Sequence, residues 1–134
     1  MSTTNGFGFS VDVPIAYAEA DSRVRELLKA EGFGVLTEID VRATLREKLD
    51  VEFPRYEILG ACNPPLAHRA LQADPDVGLL LPCNVVVAER AEGGSRVSFM
   101  DPVAILGLVD NPALASIAAD AAERLRRVAT ALES

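Results

Sequence analysis

The sequence predicts an α+β fold in which helices cover one face of a largely antiparallel sheet. Two observations predict it. Short segments in which apolar and polar residues alternate are separated by longer segments with apolar residues at helical spacing. The later part of the chain contains a hairpin pattern, which favours a mixed sandwich over a parallel barrel. At 134 residues, with no repeat or linker, residues 1–134 are predicted to form a single domain.

The first strand is predicted from Phe7 to Val13, where apolar residues occupy every second position. Pro14 ends this strand, because proline donates no hydrogen bond to a ladder. A helix over Ile15–Glu31 follows, and Gly32 stands where glycine commonly terminates a helix.

A second strand is predicted over Gly34–Ile39, after which Asp40 is expected to cap a short helix from Val41 to Leu49. A third strand follows over Tyr56–Ala61. In the same way, Asp101 precedes a predicted helix start and is interpreted as a capping residue.

Asn63 is expected to cap a helix that runs from Pro64 to about Ala73, since proline suits the first helical turn. The segments Gly78–Glu89 and Arg96–Met100 are predicted to pair as a hairpin. Pro82 lies within the longer strand of that hairpin and predicts an edge position or a bulge there.

The last helix has the clearest pattern in the chain. Asn111 is its expected cap and Pro112 its first residue. One apolar stripe at helical spacing indicates the face that packs on the sheet: Leu114, Ile117, Ala121, Leu125, Val128 and Leu132.

The charge balance argues against nucleic acids and anionic membranes as partners. The formal net charge is −7, with 20 acidic against 13 basic residues, whereas binding to either partner depends on clustered cations. The densest basic cluster is Arg124, Arg126 and Arg127, which we interpret as a solvated helix face.

A cytoplasmic location is predicted because no signal peptide is visible and the longest apolar run is too short to cross a bilayer. In the reducing cytoplasm both cysteines are expected to be free thiols.

Three segments resemble the signature of a known family: Gly32-Phe-Gly-Val-Leu-Thr-Glu-Ile-Asp40, Ile58-Leu-Gly-Ala-Cys-Asn-Pro-Pro-Leu66 and Gly78-Leu-Leu-Leu-Pro-Cys-Asn-Val-Val-Val87. The family is the domain-of-unknown-function 302 family of small bacterial and archaeal proteins. The resemblance covers about residues 7 to 101. It implies a TBP-like α+β topology and a homodimer, and it implies no established activity. The likeness to TBP is one of topology, which does not transmit function.

A repeated Cys-Asn pair, Cys62-Asn63 and Cys83-Asn84, is the most suggestive chemical feature. Cys62 is followed by a helix N-terminus, where amide hydrogens stabilise a thiolate, so we expect its pKa to be lowered. Cys83 lies in an apolar strand, which favours the neutral thiol. The alternative interpretation is that both cysteines are inert packing residues and that Asn63 only caps a helix.

Three hypotheses for function follow. The first is a dimeric ligand-binding module with a pocket lined by Cys62, Asn63, Pro64, Cys83 and Asn84. The second is a thiol-dependent enzyme or redox sensor that uses Cys62, and the third is a structural or interaction domain without a small-molecule site.

No metal site and no cofactor are expected. The two cysteines lie 21 positions apart and His68 is the only histidine, which does not supply the ligand set of a structural zinc site. We interpret His68 as a surface residue.

Overall fold

A computed structural model describes residues 2–133 of the chain, and within them six strands form one antiparallel sheet. Its order is β1-β2-β6-β5-β4-β3, so β1 and β3 are the edges. The strands are β1 (Ser2–Thr4), β2 (Gly8–Val13), β3 (Gly34–Asp40), β4 (Tyr56–Cys62), β5 (Cys83–Glu89) and β6 (Ser95–Met100). The short strand β1 was not predicted from the sequence.

The helices are α1 (Tyr17–Ala30), α2 (Val41–Leu49), α3 (Pro64–Ala73), α4 (Pro102–Leu106) and α5 (Ala115–Glu133), with 3-10 turns at Pro75–Leu80 and Pro112–Leu114. Those with buried side chains pack on the face of the sheet that carries the core, whereas α2 follows the edge strand β3 and buries none of its side chains. The apolar stripes of α1, α3 and α5 share one core with the inward residues of the central strands. The predicted α+β class, with helices on one face of an antiparallel sheet, is confirmed.

The core is aliphatic, apart from a small aromatic contact. All six residues of the predicted stripe on the last helix are buried. They share one core with inward-facing valines of β5 and β6, among them Val85, Val87 and Val97, which are fully buried. Phe9 and Phe99 stack beside them on neighbouring strands, with ring centroids 5.3 Å apart.

The helix starts follow the predicted capping chemistry. The side-chain oxygen of Asn63 accepts a hydrogen bond from the Leu66 amide at 3.3 Å, and that of Asp40 accepts one from the Ala43 amide at 2.9 Å. Asp101 caps α4 in the same manner. Gly32, just past α1, has a φ of 85°, a conformation that other residues adopt only with strain.

The apolar run before β5 differs from its predicted structure. Residues 75–80 form a 3-10 turn, and the strand begins only at Cys83, directly after Pro82. The expectation that Pro82 marks an edge or a bulge within a strand is therefore wrong. Because β5 lies between β4 and β6, a residue without an amide hydrogen is excluded from its interior and precedes it instead.

The last helix and α3 differ in detail from the prediction. The α-helical hydrogen-bonding pattern begins at Ala115, after the 3-10 turn that starts with Pro112, and Asn111 caps that turn. On α3, Leu66 and Ala70 are buried as expected, whereas Leu71 is 42% exposed.

Candidate functional site

The second face of the sheet, opposite the core, is lined by half-buried and exposed side chains. Val86 of β5 lies opposite Ser98 of β6, which in turn lies opposite Ser10 of β2. Side chains of directly paired residues in antiparallel strands share a face. These three residues therefore form a row across the sheet that starts apolar and ends with two hydroxyls.

A groove of about 490 Å³ runs over this row. That volume falls within the range of small-molecule sites, roughly 300–1,000 Å³. Apolar and aromatic groups supply much of its lining: Phe7, Tyr56, Val86, Ala88, Met100 and Ile105. The groove therefore combines a largely apolar surface with a few polar groups.

The polar groups of the groove differ in whether the protein already uses them. The side-chain oxygen of Asn5 already accepts hydrogen bonds from two backbone amides of its own turn, so it is not free for a ligand. The guanidinium of Arg96 is already paired, since it donates two hydrogen bonds to Asp12, at 2.7 and 3.2 Å. The side-chain amide of Asn84 is exposed and has no hydrogen-bond partner among residues 2–133.

One end of the row that contains Asn84 is filled by neighbouring side chains. Gly60 lies opposite Asn84, and a Cβ atom at position 60 would collide with Thr37 Oγ1 and with the ring of Pro82, 2.8 Å away. Thr37 and Pro82 thus occupy the space that a side chain at position 60 would take. Glycine is required there for this close approach.

The two cysteines lie on opposite faces of the sheet. Ala61 is directly opposite Cys83, and both are buried against the helices. Cys62 is the next residue along β4, so the alternation of the strand turns its side chain to the second face. The expected pocket shared by both thiols is therefore wrong.

The other predicted site residues are also divided between the two faces of the sheet. Asn63 and Cys83 line a cavity of about 30 Å³ under α3, which has room for roughly one or two water molecules. The Asn63 amide is already used, since it caps α3 and donates to the Glu31 carbonyl at 3.4 Å. Pro64 is exposed in the first turn of α3. Of the five residues, Asn84 lines the groove.

Burial raises the pKa of both thiols. The pKa of Cys62 is raised by burial, so the expected lowering by the helix N-terminus is wrong. The physical reason lies in the first turn of α3: Pro64 and Pro65 have no amide hydrogen, and the next amide, that of Leu66, is bound by Asn63. Burial, together with the nearby Cys62, raises the pKa of Cys83 to about 11.

Sequence reasoning missed the serines of the groove and a buried carboxyl group. Ser10 and Ser98 belong to alternating strand patterns, and only the pairing of β2 with β6 brings them together. Glu57 faces the helices from β4 and is 4% exposed. Residues two apart in a strand share a face, so Glu57 lies on the same face as Leu59 and opposite to Ile58. This alternation was a signal that a charged side chain points into the core.

Two wider properties of the described residues bear on the site. Within residues 2–133, no cluster of three or more histidine, cysteine or acidic side chains has an arrangement suited to a metal ion. None of the helices in that range combines the length and apolarity that crossing a membrane requires. His68 is exposed on α3, in line with its interpretation as a surface residue.

The fold and groove define a small α+β domain with an antiparallel sheet, covered by helices on one face and grooved on the other. The family described as Domain of unknown function DUF302 matches residues 9–132, and the chain belongs to this family. The chain is also similar to a solved structure, an uncharacterized conserved protein DUF302 from Bacillus stearothermophilus, at 38% sequence identity and a TM-score of 0.85. That similarity covers 92% of this chain and 96% of the other. No protein with a curated description matches the sequence.

Proposed function

We propose that the protein is a small-molecule-binding module whose ligand lies in the groove on the second face of the sheet. The observation that carries this proposal is the combination of an apolar groove of about 490 Å³ with an unpartnered amide, that of Asn84. Ligand sites typically pair a mostly apolar lining with a few polar groups that fix orientation. The proposal keeps Asn84 from the predicted site and moves the ligand away from Cys83.

The ligand class follows from the lining. Asn84 offers a donor and an acceptor, and the Ser10 hydroxyl, which accepts from Ser98, keeps its own hydrogen for a bound molecule. Arg96 is neutralised by Asp12, so it supplies little attraction for an anion. We therefore expect a mainly apolar molecule with a hydrogen-bonding end that is neutral or weakly charged.

Native mass spectrometry tests this function directly. Protein purified gently from its expression host should carry a co-purifying small molecule, or gain one from a library of metabolites. The variant Ser98→Leu fills the centre of the groove and should abolish the added mass. Ser22→Leu, which places the same side chain on the exposed surface of α1, should keep it. A ligand retained equally by both variants would place binding elsewhere.

The proposal also includes a homodimer in the cytoplasm. Its support is the stretch from β3 to the segment after α2, where five large apolar side chains are more than a third exposed: Leu36, Ile39, Leu49, Val51 and Phe53. Among the described side chains, those of α2 include none that is buried. Several large apolar side chains exposed within one stretch of chain favour an interface there.

The proposal includes no nucleic-acid or membrane partner, although the family resemblance implies a TBP-like topology. The cations of the basic cluster on α5 already have partners. Arg127 pairs with Glu31 at 2.9 Å, Arg124 with Asp120 at 2.7 Å, and Arg126 lies over the Phe9 ring. A thiol-dependent function gains no support from the raised pKa of Cys62.

A further inference from the structure

Glu57 is a buried acid beneath α1, on the face of β4 that packs against the helices. Its side chain is 5% exposed, and its Oε1 lies 3.3 Å from Arg25 Nη2. The Asp21 carboxylate contacts the same guanidinium, and Asp21 and the Tyr17 hydroxyl lie close enough to Glu57 to influence its pKa. Three side chains of α1 thus converge on one acidic group of the sheet.

The guanidinium of Arg25 is shared among three carboxylates. Besides Glu57, it contacts Asp21 at 2.8 Å and Glu38 of β3 at 3.0 Å. One positive charge therefore faces three acidic groups, so the cluster carries an excess of negative charge when all of them are ionised.

The remaining neighbours add one acid beside Glu57 and place one cation over the Tyr17 ring. Asp40 lies directly opposite Glu57 in the β3–β4 ladder, and the residue opposite on β5 is the apolar Val87. The guanidinium of Arg55, which precedes β4, lies over the Tyr17 ring, 5.9 Å from its centroid. Asp40 thus adds a further acid beside Glu57.

A buried carboxyl that shares one cation with other carboxylates is protonated more readily, because its charge is neither solvated nor fully paired. Burial, followed by the interaction with the nearby Asp21 carboxylate, raises the pKa of Glu57 to about 7. In the unfolded chain the same group has a pKa of about 4.3. Between these two values the folded protein holds a proton that the unfolded chain has released.

We propose that Glu57, Asp21 and Arg25 form a proton-linked clasp, which fastens α1 to strands β3 and β4 more firmly at mildly acidic than at mildly alkaline pH. The direction follows from linkage: where the folded state binds more protons than the unfolded state, stability falls as pH rises. For one proton, the unfolding equilibrium constant increases by about tenfold per pH unit within the window. The clasp loosens as the pH rises through neutrality.

The test compares urea unfolding of the wild type and Glu57→Gln from pH 5 to pH 8. Glutamine has almost the same shape as glutamic acid and does not titrate. The unfolding constant of the wild type, divided by that of Glu57→Gln, should rise by about tenfold per pH unit between pH 5 and 7 and level off above. Glu26→Gln, an exposed position on α1, should follow the wild type. A ratio that does not change with pH would overturn the proposal.

Carbon-13 NMR of the Glu57 carboxyl in the wild type provides a second test, which holds even if Glu57→Gln does not fold. The carboxyl should titrate with a midpoint near neutrality, and Asp21→Asn should lower that midpoint. A wild-type midpoint near the ordinary value of about 4.3 would refute the clasp. Hydrogen exchange of the wild type should show α1 losing protection at pH 8 relative to pH 5, and Glu57→Gln, where it folds, should show no such loss.

Discussion

The side-chain hydroxyl of Ser98 donates a hydrogen bond to that of Ser10, 3.1 Å away across the β2–β6 ladder. Cross-strand hydroxyl pairs contribute roughly 0.2–1 kcal/mol to stability. Ser10→Ala, Ser98→Ala and the double variant should therefore give a coupling energy of about 0.5 kcal/mol in a double-mutant cycle, measured by urea unfolding. Strictly additive losses would mean that the two hydroxyls are stabilised independently by solvent.

The two thiols should differ in their rates of alkylation. In native protein at pH 8, iodoacetamide should modify Cys62 before Cys83, because Cys62 is half-buried, whereas Cys83 is 7% exposed and its pKa is raised to about 11. Peptide mapping at timed intervals measures both rates. The variant Cys62→Ser should remain almost unmodified until urea is added. Equal rates at both positions would contradict the burial of Cys83.

The proposed homodimer should depend on the exposed apolar residues of β3. At high micromolar concentration, light scattering should give twice the mass of one chain for the wild type. Lysine in place of Leu36 and Ile39, which are 68% and 49% exposed, should yield a monomer. Leu79→Lys is the matched control, because Leu79 is 87% exposed outside this stretch, and it should stay dimeric. A monomeric wild type would rule the homodimer out.

The fold was predictable where one local pattern decides the structure. The stripe from Leu114 to Leu132 has the period of a helix, and its burial on the sheet follows from that period alone. The caps Asp40 and Asn63 were predictable for a similar reason, since the side chain bonds within three residues of itself. Apolar content alone misled around residues 78–82, because a short apolar run does not distinguish a strand from a buried turn.

The site was less predictable because it depends on pairing between distant strands. The Cys-Asn repeat suggested one pocket, yet neighbouring residues in a strand point to opposite faces, and the register decides which face each takes. Ser10 and Ser98 are 88 positions apart in the chain. Their meeting follows from the order of the strands, which local sequence does not encode.

The close packing around Gly60 has a consequence for the size of molecule that the groove accepts. Thr37, from the edge strand, and Pro82, from the segment before β5, together form a stop at the end of the row that contains Asn84. Trimming that stop, for example with Thr37→Ala, would extend the groove towards the edge of the sheet and admit a longer apolar chain beside the Asn84 amide. In the proposed binding module, ligand length would thus be set by two side chains that do not line the groove, so it could change while the lining stays the same.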